Sequence, residues 1–248
     1  MTNNLGKLYL IPNLLGATTP EHALPQGTLD IVKRLSHFVV ENTRTSRRVL
    51  SRIGMARAID DIDFIELDKH ATRNLDLTEH LGACLRGEDM GLMSEAGTPC
   101  VADPGALVVE MAHSAGIQVI PLVGPNAMIL ALMASGFNGQ AFAFHGYLPI
   151  KSPERQHAIK DLERRSMAND ETELFIETPF RNNAMLQDLC DNLHPGTRLC
   201  VACNLTCEDE LVVSQSIGEW KKHKQDWNKK PAVFLIYSQT GRNNRFRR

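Results

Sequence analysis

The chain has 248 residues, a formal net charge of −2, and 43% apolar beside 23% charged residues. That length supports one large core or two smaller ones, and the composition excludes a disordered, collagenous or disulfide-built chain. The near-zero charge excludes a global bias toward nucleic acid or anionic membrane. With no membrane-length apolar run and no signal-like opening segment, the expected location is the cytoplasm.

In chain order, "KLYLIP" reads as the first strand, and the loop "IPNLLGATTPEH" leads to a helix at "LDIVKRL". Strand "HFVVEN", helix "SRRVLSRIG" and strand "FIEL" follow, then a polar loop around His70. Helix "LTEHLGACLRG" and strand "DMGLMS" come next. The helix "GALVVEMAHSAG" gathers Leu107, Val108, Met111 and Ala112 on one face, with Gly116 as its C-terminal cap. Strand "IQVIPLV" closes this half. Such strand-helix alternation predicts parallel strands covered by helices.

The second half opens at "PLVGPNAM" and continues with a small-residue helix, "AMILALMASG", and a strand, "AFAFHGYLP". A charged helix "SPERQHAIKDLERRSM" follows, with Ser152 predicted as its N-cap ahead of a first-turn Pro153. Strand "ELFIET", helix "RNNAMLQDLCDNL" and strands "TRLCVACNL", "DELVVSQ" and "AVFLIYS" complete the chain. The last strands have little helix between them, which predicts a mixed sheet. The expected division is an N-terminal α/β domain over 1–121 and a C-terminal α/β domain over 122–248.

Two features carry more than one reading. The end of the chain places Lys221, Lys222, Lys224, Lys229, Lys230, Arg242, Arg245, Arg247 and Arg248 against Asp226 alone. This is either a solvated, frayed end or a holder of phosphates. Cys200, Cys203 and Cys207, with His194 nearby, suggest a metal site. A strand through "TRLCVACNLT" would point Cys200 and Cys203 to opposite faces, so buried free thiols and no metal are expected.

Three loops follow predicted strands, where open α/β sheets place ligands. They are "IPNLLGATTPEH", "GLMSEAGTPCVADPG" and "VGPNAM". None matches a dinucleotide fingerprint or a phosphate-binding loop with its lysine, which favours a nucleotide-sized ligand held without a diphosphate grip.

Together, "LYLIPNLLG", "VVENTRTSRRVL", "GLMSEAGTPCVADPG", "VIPLVGPNAMILALMASGF", "FAFHGYLPIK" and "FIETPFRN" resemble the tetrapyrrole methylase superfamily of S-adenosylmethionine-dependent methyltransferases. The most similar branch is that of the small-subunit ribosomal RNA cytidine 2'-O-methyltransferases, over roughly Lys7 to Tyr237. There are departures. Asn42 replaces the acidic residue of the branch's "E-D-T-R" motif, and Glu95 replaces the Asp of "S-D-A-G-T-P". Cys203 and Asn204 stand where the branch has Arg and Glu, Pro231-Ala232 looks more like the wider superfamily, and the branch's helical C-terminal segment has no counterpart.

The resemblance implies two α/β domains of the tetrapyrrole methylase fold with a cofactor cleft between them, a homodimer, and S-adenosylmethionine as cofactor. The acceptor it implies is a ribose 2'-hydroxyl of ribosomal RNA or the small ribosomal subunit, with no membrane partner. Two other readings stay open, namely methylation of a tetrapyrrole or other small molecule, and a non-catalytic cofactor- or RNA-binding member. Matching positions place Ala96, Gly97, Thr98, Val101, Asn126, Ala127, Glu177, Asn204 and Ala232 against the cofactor. Arg44, Arg47, Tyr147, Lys151 and Arg181 are the candidates for substrate binding. Glu41, Arg44 and Glu95 are the candidates for catalysis, with ion pairing between Glu41 and Arg44, or between Glu177 and Arg181, as the structural alternative. Asp103, ahead of Pro104-Gly105, is expected to cap the next helix.

Overall fold

The computed structural model describes residues 4–67 and 76–239. His70 and Arg242 to Arg248 lie outside the described residues. The chain divides into two compact units, Met1–Asn126 and Ala127–Arg248.

The first unit runs β1 (Lys7–Ile11), α1 (Pro20–Ala23), α2 (Gln26–Arg34), β2 (His37–Val40), α3 (Thr43–Ile53), a short 3-10 turn (Ile59–Asp61), β3 (Asp63–Glu66), α4 (Leu77–Leu85), β4 (Met90–Met93), α5 (Ala106–Ser114) and β5 (Gln118–Pro121). Its five strands form one sheet in the order β3-β2-β4-β1-β5, and every pairing is parallel. Alternate side chains divide the core between the two faces of the sheet. Tyr9, Ile11, Phe38, Val40 and Met93 pack with Leu29 and Val32 of α2 and Leu50 and Ile53 of α3. Leu8, Val39, Met90 and Leu92 pack with Leu81 and Cys84 of α4 and Val108 and Ala112 of α5. Neighbouring strands β1 and β4 therefore send their following helices to opposite faces, which makes the gap at their carboxyl ends a topological switch point, the usual ligand position of an open α/β sheet.

The helices start and stop for local reasons. Asn42 accepts from the Thr45 amide at 3.0 Å and caps α3, a task Asn performs as well as Asp. Gly116, at φ +73°, ends α5 in the left-handed region, as its sequence position predicts.

The second unit runs α6 (Ala127–Ser135), β6 (Phe142–Tyr147), α7 (Ser152–Asn169), β7 (Thr172–Glu177), a 3-10 turn (Pro179–Arg181), α8 (Asn182–Asn192), β8 (Arg198–Cys203), β9 (Leu211–Ser216), α9 (Ile217–Trp220) and β10 (Ala232–Tyr237). The sheet is mixed, as predicted. Its order is β6-β7-β10-β8-β9, with β6 and β7 parallel and the other pairs antiparallel. Phe175, Val201, Phe234 and Ile236 form the face that packs on α7 and α8 through Ile159, Leu162, Met185 and Leu189. The predicted cap of α7 needs correction: extended Lys151 is the N-cap and Ser152 is already helical. The Ser152 hydroxyl instead accepts from Gln156 one turn on, at 3.1 Å.

Cys203 packs in the core with Leu199 and Val201, so Cys200, three residues before it, lies on the other face. Burial pushes the thiols of Cys84 and Cys200 up to about 12 and that of Cys203 to about 11. These groups stay protonated at neutral pH and behave as small apolar side chains. Among the described residues, no group of three His, Cys, Asp or Glu side chains is placed to hold a metal ion, and no helix is long and apolar enough to cross a membrane.

Candidate functional site

The switch point of the first sheet is bordered by the loops after β1 and β4, and the structure ties the two together. Asn13 and Gly97 exchange backbone hydrogen bonds, with the Asn13 amide donating at 2.8 Å and the Gly97 amide at 3.2 Å. The Asn13 side chain is 2% exposed. Its Nδ2 donates to the carbonyls of Ser94 at 2.9 Å and Glu95 at 3.0 Å, while its Oδ1 accepts from the Leu14 amide at 2.8 Å. The Ser94 hydroxyl donates to the Gly97 carbonyl at 3.0 Å. A third element closes in from β2, where Glu41 Oε1 accepts from the Glu95 amide at 3.0 Å.

Two glycines are required here on different grounds. Gly97 sits at φ +69°, a conformation L side chains rarely adopt. Gly124, after β5, has no such angle, but a Cβ there would lie 2.4 Å from Cβ of Pro12, so the segments leaving β1 and β5 approach through it. Just beyond Gly124, Asn126 Nδ2 donates to Thr98 Oγ1 at 2.5 Å. The ends of β1, β4 and β5 thus converge, and Ala96, Gly97, Thr98 and Asn126 meet in one place.

The rest of the β4 loop is strained and clasped. Cys100 and Ala102 hold φ of +68° and +63°, each costing about 1–2 kcal/mol. Asp103 spans them, its Oδ2 accepting from the Cys100 amide at 2.8 Å and its Oδ1 from the Gly105 amide at 2.7 Å. Hydrogen bonds to a carboxylate contribute about 1.5–3 kcal/mol each, enough to offset that strain. Burial raises the Asp103 pKa while the two amides pull it back. The expected cap is therefore corrected in position: Gly105 is the N-cap of α5, and Asp103 fastens it to the loop. Between the strained residues Val101 is turned outward, 42% exposed.

In the second unit, another set of nominated residues meets at one sheet end. Ala232, the first residue of β10, pairs with Glu177 on one side and Cys203 on the other, and the Asn204 amide donates to Pro231 O at 3.0 Å. Asn204 is at φ +49°, and its Nδ2 donates to Asp209 at 2.6 Å. Asn tolerates this left-handed conformation better than Glu, which accounts locally for the departure at this position. Glu177, 4% exposed, accepts from Arg181 Nε at 3.0 Å and from the Thr178 amide at 2.5 Å. Ala127 begins α6, in the same unit.

Arg47 pairs with Asp60 and lies over the Phe64 ring at 5.8 Å. Arg44 is exposed on α3. Tyr147, 60% exposed, ends β6, and Lys151 caps α7.

Asn13 is a site residue that the sequence alone does not single out. Its only sequence signal is an Asn immediately after a strand-ending Ile-Pro, which reads equally as an ordinary turn.

The three loops at the switch point contain no lysine or arginine between Pro12 and Thr19, Ser94 and Gly105, or Pro121 and Ala127. They offer small side chains, backbone amides and carbonyls, the Thr98 hydroxyl and the exposed Glu95 carboxylate. Such a lining suits a nucleoside-sized ligand without a diphosphate, as in a methyltransferase rather than a dinucleotide enzyme. The family profile described as Tetrapyrrole (Corrin/Porphyrin) Methylases matches residues 21–221. The chain belongs to this family, and it is a methyltransferase.

Among curated relatives, the chain is 31% identical to "Ribosomal RNA small subunit methyltransferase I" of Escherichia coli O157:H7, over 94% of this chain and 78% of the relative. It is 32% identical to the protein of the same name from Xylella fastidiosa, over 88% and 79%. Among solved structures, the methyltransferase CobJ matches with a TM-score of 0.60 at 16% identity, covering 94% of each chain, a likeness of fold.

Proposed function

We propose that this methyltransferase uses S-adenosylmethionine to methylate a ribose 2'-hydroxyl in small-subunit ribosomal RNA. The observation that carries the cofactor reading is the strained turn from Ser94 to Asp103, free of lysine and arginine and pinned across the β1–β4 switch point by Asn13, Gly97 and Glu41. When bound, S-adenosylmethionine supplies an electrophilic methyl group. In the first unit, Ala96, Gly97, Thr98, Val101 and Asn126 are the proposed contacts. In the second, Ala127, Glu177, Asn204 and Ala232 are, with Arg44, Arg47, Tyr147, Lys151 and Arg181 as candidates for the acceptor. The names carried by the Escherichia and Xylella relatives support the acceptor class.

The chemistry needs the acceptor hydroxyl held in line and a group to take its proton. Three carboxylates belong to the switch point. Asp103 is committed to two amides, and Glu41 Oε1 holds the Glu95 amide, which makes Glu41 a positioning residue. Glu95 is the exposed carboxylate on the turn and is the proposed acceptor of the proton.

Incubating immature small ribosomal subunits with methyl-labelled S-adenosylmethionine should place label on one ribose, located by mapping the modified nucleotide. Label on a tetrapyrrole or other small acceptor, with none on RNA, would reject the acceptor and keep the cofactor. We further propose a homodimer, supported by the uncharged helix α6, where Met133 is 73% exposed. Light scattering should give twice the mass of one chain, and a monomer at micromolar concentration would refute it.

A further inference from the structure

The basic end of the chain, ambiguous in sequence, has a definite conformation over its first ten residues. We propose that the lysine-rich connection from Lys221 to Lys230, together with Phe180, is a docking surface for single-stranded RNA, with phosphates on the lysines and a base on the ring. The inference rests on the RNA reading above.

The connection carries Lys221, Lys222, Lys224, Lys229 and Lys230 against Asp226 alone. Asp226 is already engaged, its Oδ1 accepting from the Asn228 amide at 3.0 Å and from Asn183 Nδ2 at 2.7 Å. Among the described residues none of the five lysines forms an ion pair, and Lys221, Lys222, Lys224 and Lys229 are exposed. Asp226 offsets part of the charge of Lys229 and Lys230, and Glu219 part of that of Lys222, but the excess of lysines repels itself, so an ordered backbone here needs anchors.

Buried side chains and backbone hydrogen bonds supply those anchors. Trp227 is fully buried and packs edge-on against Trp220 at 5.5 Å. Asn182 Nδ2, buried at the start of α8, donates to the carbonyls of Trp227 at 2.8 Å and Lys230 at 2.7 Å. Asn183 Oδ1 accepts from the Trp227 amide at 2.9 Å. Lys229 is held at φ +63°, a strained angle for lysine, and its amide donates to Pro179 O at 2.8 Å.

That last bond sets the chemistry of the surface. Pro179 opens the turn whose next residue, Phe180, is 76% exposed, and Arg181 follows it. A bare aromatic ring one residue from a backbone bond to a lysine in a preformed basic loop is the combination single-stranded nucleic acids use, since stacking is sequence-tolerant and the cations track the backbone. Because the loop is already ordered, little conformational freedom is lost on binding. Lys230 and Pro231 lead directly into Ala232, so the surface adjoins the sheet end that carries Glu177 and Asn204.

The test is fluorescence anisotropy with a labelled single-stranded RNA oligonucleotide of about ten nucleotides, titrated across a salt series. The full chain is compared with the triple variant Lys222→Gln, Lys224→Gln, Lys229→Gln, and with Phe180→Ala. Loss of three phosphate contacts should flatten the slope of log affinity against log salt by about 2. Phe180→Ala should weaken binding about 10-fold with the slope unchanged. Heat of S-adenosylmethionine binding and the melting temperature, both kept, show that the variants are folded. If the unaltered chain binds RNA and both variants match it in affinity and slope, this surface is excluded and the RNA reading survives. If the unaltered chain shows no salt-dependent RNA binding at all, the RNA reading itself is overturned, and this inference with it.

Discussion

Replacing Glu95 by Gln is expected to lower kcat about 100-fold or more while leaving cofactor affinity within about threefold. A ribose hydroxyl is a weak nucleophile until its proton has somewhere to go, and an amide of the same shape cannot accept it. Glu95 is exposed on the turn, and its own backbone is fixed from both sides. Its amide is bound to Glu41 at 3.0 Å and its carbonyl to Asn13 at 3.0 Å. The substitution therefore changes the carboxylate while keeping both of these backbone bonds. Glu95→Asp, the residue usual in the resembling branch, should recover part of the lost rate. Glu41→Gln is the companion experiment, because a side-chain carbonyl still accepts the Glu95 amide. It should cost far less than Glu95→Gln, whereas Glu41→Ala should raise cofactor Kd. If Glu95→Gln instead raises Kd and leaves kcat unchanged, Glu95 serves the cofactor's positive charge and the base must be sought elsewhere.

Much of this arrangement is legible from residues close together in the chain. The apolar runs at β1, β2, β4 and β5 fall where the strands are, since short buried parallel strands need little more than continuous apolar residues between turn signals. Gly97, Thr98 and Asn126 announce themselves by turn chemistry and by motif. What the sequence conceals depends on partners far along the chain. The Asn13 side chain gains its role only because β4, about 80 residues later, inserts between β1 and β2. Glu41 reads locally as a partner for nearby Arg44, and nothing near it in the chain announces its bond to the Glu95 amide 54 positions on. The lysine-rich connection reads as a fraying end because its anchors, Asn182 and Asn183, lie some 45 residues upstream. Left-handed angles at Cys100, Ala102 and Lys229 carry no local signal either, since none is glycine. They are strained positions sustained by the contacts around them.

Asn13→Ala should raise cofactor Kd about 10- to 30-fold and lower the melting temperature by several degrees, on the order of 2–4 kcal/mol of lost stability. The side chain removed is buried and serves three backbone groups, the carbonyls of Ser94 and Glu95 and the amide of Leu14. Alanine replaces none of those bonds, and each buried group left without a partner costs about 1–3 kcal/mol, reduced where the loop can relax toward water. Relaxation is the functional injury, because it frees the turn that holds Ala96 to Thr98 from the end of β1. Asn13→Asp separates this account from a simple loss of packing. Aspartate has nearly the same shape and keeps an acceptor for the Leu14 amide, but it turns a negative oxygen toward two carbonyl oxygens. It should therefore be more damaging than alanine at neutral pH, and partly rescued as the pH falls and the carboxyl is protonated. A calorimetric titration with S-adenosylmethionine and a thermal melt of both variants at two pH values would decide it. Asn13→Asp behaving like the unaltered chain at pH 7 would show that the amide nitrogen is not what pins the turn.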